Sequence, residues 1–207
     1  MTKMERTHRR ILWRGLEIVS ERGLGGVSLG GLADRSGMSK SGLFAHFRSK
    51  EELQVELLGA AEAALRREVV DPIVDVPDGL PRLRALVGRW LGWAARSGLP
   101  GGCPLYAAAF ELDDAEEGPV RDFLMQSKGE WSRMLEGLVR EAVELGQLEE
   151  GLDAVQFVWQ LEGIYLSHHV SQRLMRDPEA DARALTAFDE LVVSSLSGQT
   201  TRPEPRP

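Results

Sequence analysis

Residues 28–53, SLGGLADRSGMSKSGLFAHFRSKEEL, decide the fold. Ser28 is placed to cap a short helix through Ala33 and Asp34 that buries Leu29 and Leu32. Gly37 supplies a turn, and Ser39 caps a second short helix carrying Leu43, Phe44 and Phe47. Ser49, with Glu52 three residues later, has the spacing of a capping box and opens a longer helix. Two helices joined by a turn of about three or four residues containing Gly form a unit whose second helix enters a DNA major groove. The stretch therefore implies a reader of duplex DNA.

Charge agrees with that placement. The 207 residues carry a formal net charge of −7, but residues 1–50 hold ten Lys or Arg against four Asp or Glu. That segment is +6 and the remainder −13. A polyanion is attracted to the first part and repelled by the second, so the DNA surface belongs in the N-terminal quarter. The opening MTKMERTHRR has no apolar stretch after its charges and does not read as a signal peptide. No run of about eighteen apolar residues is available to span a membrane. With one cysteine there is neither an internal disulfide nor a thiolate zinc cluster. The expected location is the cytoplasm, with no cofactor and no metal.

Outward from the central stretch the pattern is helical throughout. A first helix over 6–22 places Ile11, Leu12, Gly15, Ile18 and Val19 on one stripe. A fourth, from 50 to about 70, leads out of the basic segment. Three prolines and a glycine break the chain over 71–81. Further helices are expected over 80–95, 103–112, 118–145, 153–175 and 179–196, making about nine and no strand. The chain is predicted to be all-α, with a helix-turn-helix DNA-binding domain over 1–50, an effector-binding and dimerisation domain over 51–198, and a mobile tail over 199–207.

Leu32-Ala33, Ser36-Gly37-Met38-Ser39, Gly42-Leu43-Phe44, His46-Phe47 and Ser49-Lys50-Glu51-Glu52-Leu53 match, in order and spacing, a known motif. On these residues the chain resembles the TetR family of one-component transcriptional repressors. The resemblance is specific over about 50 residues and agrees in helix number beyond them. It implies a homodimer whose last two helices, here near 153–175 and 179–196, pair into a four-helix bundle. It also implies a pseudo-palindromic operator and release from it when a small molecule enters the helical body.

The expected DNA contacts follow. Lys40 can donate to guanine O6 or N7, Ser41 can bond either base type, and Leu43 can meet a thymine methyl or support packing. Ser28 and Ser39 offer hydroxyls and helix-start N–H groups to phosphates. By the resemblance, Lys50 contacts the backbone and His46 touches a phosphate; Arg35 and Arg48 are added as nearby cations. Phe44 and Phe47 are expected in the core. The family usually carries two aromatic residues after Gly-Leu, often tyrosines. Here Phe44 and Ala45 stand there without hydroxyls.

The acidic part holds Trp90, Trp93, Phe110, Phe123, Trp131 and Tyr165. So many aromatic residues, two of them three apart on one expected helix, suggest a hollow lined by them that takes an apolar or aromatic effector. Glu111, Gln126, Arg133, Gln160 and His168 are polar candidates for its wall. The competing readings are a solid core in a ligand-independent DNA-binding protein, a redox or electrophile sensor through Cys103, and an all-helical enzyme. No HExxH, GxSxG or phosphate-binding glycine loop supports the last.

Overall fold

The computed structural model describes residues 2–196; the tail expected over 199–207 lies outside them. Ten α-helices and no strand occur among the described residues. They are α1 (Lys3–Arg22), α2 (Leu29–Ser36), α3 (Lys40–Phe44), α4 (Lys50–Leu65) and α5 (Leu80–Trp90). After these come α6 (Trp93–Arg96), α7 (Pro104–Glu111), α8 (Pro119–Glu144), α9 (Ala154–Val170) and α10 (Ala180–Val193). Both α4 and α9 widen at their ends into a π turn, Arg66–Val70 and Ser171–Met175. The chain forms two compact units. One comprises the chain up to Pro72 with Gly92–Glu130; the other comprises Ile73–Leu91 with the chain from Trp131.

In the first unit, α1 begins at residue 3 rather than 6 because Thr2 and Glu5 close a reciprocal cap. Thr2 Oγ1 accepts from Glu5 N–H at 3.2 Å, and Glu5 Oε2 accepts from Thr2 N–H at 2.8 Å. Ile11, Val19, Leu32, Leu43, Phe47, Leu53 and Leu57 are wholly buried and make the core. Gly37 ends α2 in the left-handed region (φ 65°), which an L side chain enters only at a cost, and so fixes the turn into α3. At α4, Ser49 Oγ accepts from Glu52 N–H at 3.0 Å, as its spacing requires. The Glu52 carboxylate, however, accepts from Arg48 N–H, one residue before the cap.

The α1–α2 turn is held from a distance in sequence. Glu111, the last residue of α7, accepts from Leu24 N–H at 2.5 Å and Gly25 N–H at 2.7 Å. Gly101 and Gly102 donate to Ser20 Oγ (3.1 Å) and Ser20 O (2.9 Å). A Cβ on Gly101 would lie 1.8 Å from Ser20 O, so only glycine admits this approach.

In the second unit, α9 and α10 pack together, and Phe157, Val158 and Leu161 of the first and Phe188 and Val192 of the second are buried. Asp153 caps α9 through Val155 and Gln156 N–H. Glu141 and Gln147 accept from Gly79 and Leu80 N–H at the start of α5. The helix expected over 80–95 is interrupted: Leu91 leaves the helical region (ψ 124°) and a short α6 starts only after Gly92. Trp90 and Trp93 therefore do not share a helix, and they belong to different units.

Candidate nucleic-acid interface

The interface rests on how α2 and α3 divide their side chains between core and solvent. Leu32 and Ala33 anchor α2, and Leu43 with Phe47 anchors the recognition segment. Around them Ser28, Arg35, Ser39, Lys40, Ser41, Arg48 and Lys50 are exposed, while His46 is half-buried. The two serine caps are formed: Ser28 Oγ accepts from Gly31 N–H and Ser39 Oγ from Gly42 N–H, each at 3.1 Å. Ser39 and Ser41 share a hydroxyl–hydroxyl bond of 3.1 Å. Arg35 lies 3.8 Å from Glu17 of α1, an ion pair in which the arginine side chain is 40% exposed.

Two expectations are corrected. Leu43 is wholly buried and supports packing, so it is not available to a thymine methyl. Phe44, expected in the core, is 53% exposed and projects from α3 beside Lys40 and Ser41. The cause is register. On this short helix Leu43 already fills the inward position, and Phe47 beyond its end takes the next. The outward set on α3 is thus Lys40, Ser41 and Phe44: a cation, a hydroxyl and an aromatic face. Such a set can donate to base edges and make apolar contact with a thymine methyl.

His46 is joined to residues that sequence reasoning did not single out. His8 of α1 lies between His46 and Glu56 of α4. His8 Nδ1 is 3.4 Å from His46 Nδ1, and His8 Nε2 is 2.5 Å from Glu56 Oε2. No sequence spacing links positions 8, 46 and 56; only the packing of α1 on α4 assembles them.

The six aromatic residues expected around an effector divide between the units. Trp90, Trp131 and Tyr165 come together in the second unit: Trp90 stacks on Tyr165 (centroids 4.1 Å, 10°) and meets Trp131 edge-on (5.1 Å, 60°). Trp131 Nε1 is buried with no hydrogen-bond partner in the structure. Trp93, Phe110 and Phe123 lie in the first unit. Trp93 is wholly buried, Phe123 is half-buried near Gly59, and Phe110 is 58% exposed. Of the polar candidates, Glu111 is committed to the α1–α2 turn, and His168 is buried with Nε2 2.6 Å from Asp181 Oδ1. Gln126, Arg133 and Gln160 are exposed. Cys103 is buried at the start of α7, withdrawn from solvent oxidants. Among the described residues no group of three His, Cys, Asp or Glu can hold a metal ion, and no helix is long and apolar enough to cross a membrane.

Comparison with known proteins agrees with this geometry. Residues 11–57 match the family model for bacterial regulatory proteins of the tetR family. Residues 79–188 match the model for a tetracyclin repressor-like C-terminal domain. A search of the curated proteins finds no match. Among solved structures, a TetR transcriptional regulator from Chloroflexus aurantiacus superposes with a TM-score of 0.80 at 22% identity, over 94% of this chain and 96% of that one. AibR in complex with isovaleryl coenzyme A and operator DNA gives 0.67 at 22%, over 88% and 98%. A regulator from Saccharomonospora viridis in complex with choline gives 0.73 at 19%, over 91% and 96%. With both halves of the fold matched by family models and the recognition helix displayed as described, the chain belongs to the TetR family of bacterial transcriptional regulators.

Proposed function

We propose that this regulator is a homodimeric repressor that binds a pseudo-palindromic operator and leaves it when a small, mostly apolar or aromatic effector enters its helical body. The observation that carries the DNA reading is the sorting of α3. Lys40, Ser41 and Phe44 face outward from a helix whose Leu43 is locked into the core. Arg48 and Lys50 at the start of α4, with the capping serines 28 and 39, supply backbone contacts that set register without reading sequence.

The dimer reading is supported by one face of α9. Val155 (58% exposed), Trp159 (71%), Gly163 and Val170 recur along the helix at the spacing of one stripe. Nothing lies within 4 Å of the Cβ position on Gly163, which leaves room for a second helix. Leu185 and Val193 of α10 are also exposed. A symmetric pairing of these faces covers them with their own copies.

For the effector, the supporting feature is the stack of Trp90 on Tyr165 with Trp131 at its edge and an unpartnered indole N–H. A buried apolar stack with an unpartnered donor at its edge suits a ligand with an aromatic or acyl portion and one acceptor. That AibR was solved with isovaleryl coenzyme A, and the S. viridis regulator with choline, supports a small organic effector for this fold.

The test is selection of bound duplexes from a random-sequence pool by the full chain. A two-fold-related pair of half-sites is expected, about one helical turn or a multiple apart. A single unpaired site sinks the dimeric operator reading. Native mass spectrometry of protein taken directly from cells then looks for a retained small molecule.

A further inference from the structure

His46 sits in a cluster drawn from three places in the first unit. Its Nδ1 faces Nδ1 of His8 on α1 at 3.4 Å, and His8 Nε2 is 2.5 Å from Glu56 Oε2 on α4. Both imidazoles lie against the buried Phe47 ring, with centroids at 5.0 Å for His8 and 6.2 Å for His46. The neighbouring carboxylates are occupied elsewhere. Glu5, one turn before His8, holds Thr2 N–H, and Glu52, one turn before Glu56, holds Arg48 N–H. Among the described residues His46 Nε2 has no partner.

For the uncharged pair, counting protons assigns the tautomers. A neutral pair of imidazoles carries two ring protons. The Glu56 carboxylate only accepts, so one proton is on His8 Nε2. Two bare Nδ1 atoms at this separation would oppose their lone pairs, so the second proton lies between them. His46 Nε2 is then bare, an acceptor facing any phosphate oxygen, which is also an acceptor. The next proton that the pair takes up has one place to go, His46 Nε2, and it creates both a donor and a positive charge there.

We propose that His8 and Glu56 are positioning residues that hold His46 in the Nδ1–H tautomer, so that its contact with a DNA phosphate requires uptake of one proton per protomer. Binding that takes up a proton tightens as pH falls. The inference rests on the reading of His46 as a phosphate contact. That contact weighs more here because Phe44 and Ala45 bring no hydroxyl to the backbone.

The test uses the full chain and a duplex that it selects from a random-sequence pool, at constant ionic strength. Between about pH 8 and about pH 6 the unmodified protein should gain about three- to tenfold in affinity, the worth of one hydrogen bond. His8→Phe keeps a ring on Phe47 but frees neutral His46 to carry its proton on Nε2. It should bind at the higher pH more tightly than the unmodified protein does there, with a shallower pH dependence. His46→Ala should bind weakly at both. If His46→Ala changes nothing at either pH, the phosphate reading fails and takes the proposal with it. If His46→Ala weakens binding while His8→Phe keeps the unmodified pH profile, the phosphate contact stands and the proton requirement is overturned. Long-range 15N–1H correlation on the free, unmodified protein at about pH 8 decides independently of any variant. It should show His46 protonated on Nδ1 and His8 on Nε2, and an Nε2–H signal for His46 refutes the assignment.

Discussion

Lys40, Ser41 and Phe44 project from α3 while Leu43, among them, is wholly buried, so neighbouring substitutions separate binding from folding. Lys40→Ala is expected to weaken specific operator binding by about 1–3 kcal/mol and to relax the preference at one base pair. Lys50→Ala, removing a backbone cation, should instead lower affinity for every duplex and shallow the salt dependence. Binding isotherms over a salt series distinguish the two, and an unchanged slope for the Lys50 variant removes it from the phosphate contacts. Leu43→Ala opens the core beneath the same helix and should cost about 2–5 kcal/mol of stability. Phe44→Ala should leave the melting midpoint nearly unchanged while reducing DNA affinity; a large fall in midpoint would place that ring in the core after all. In the second unit, His169 is held below the ordinary histidine pKa, first by burial and then by the charges of Arg173 and His168. The folded state therefore binds its proton less readily than the unfolded chain does. Its contribution is fully present above about pH 6.5 and is lost as pH falls from there through the lowered folded value. His169→Gln should flatten the melting midpoint against pH in that window, and an identical acid limb in the variant would exclude His169 as its source.

Between elements, one long-range device is the Glu111 carboxylate, which gathers Leu24 and Gly25 N–H from the α1–α2 turn at 2.5 and 2.7 Å. Glu111→Ala leaves these amides without their acceptor. The expected cost is about 1–3 kcal/mol, with faster hydrogen exchange at Leu24 and Gly25 as the local reading. Unchanged exchange there would mean that water replaces the carboxylate at no cost. Gly101→Ala should do more damage, because its Cβ would collide with the Ser20 carbonyl rather than with a movable side-chain end. Neither joint was legible in the sequence, where Glu111 reads as a polar candidate for the wall of an effector pocket. Local signals, by contrast, carried well. Ser28, Ser39 and Ser49 cap the helices that their spacing announces. The capped start at Thr2 and the interruption at Leu91 were missed, the first because a polar first turn shows no stripe. Leu91 and Ala94 continue the apolar period across the break, which hid the second. Phe44 and Phe47 show the same limit: three apart and chemically alike, they end on opposite sides of the core boundary because α3 is only five residues long.

At the scale of the whole molecule, the question is what covers the second unit's exposed apolar surface. Val158, Leu161, Phe188, Leu191 and Val192 of α9 and α10 are buried, but Val155, Trp159 and Leu185 on the same helices are exposed. A tryptophan 71% exposed in the middle of a helix, with valines a turn before it and farther along the same face, is a costly surface for a lone chain in water. The proposed pairing with a second copy would remove it and, through a two-fold axis, would set the separation of two recognition helices against two half-sites. Trp159→Glu places a charge at the centre of that face. It should yield a folded monomer in sedimentation at micromolar concentration, with operator affinity reduced to that of a single half-site. Effector response belongs to the same balance. To carry the protein from mostly bound to mostly released, a ligand must favour one arrangement over the other by about 5.5 kcal/mol, a difference that a dimer can divide between two sites. If Trp159→Glu still sediments as a dimer, the pairing face lies elsewhere. If the unmodified chain is itself monomeric at that concentration, the two-half-site account of its DNA recognition falls with the dimer.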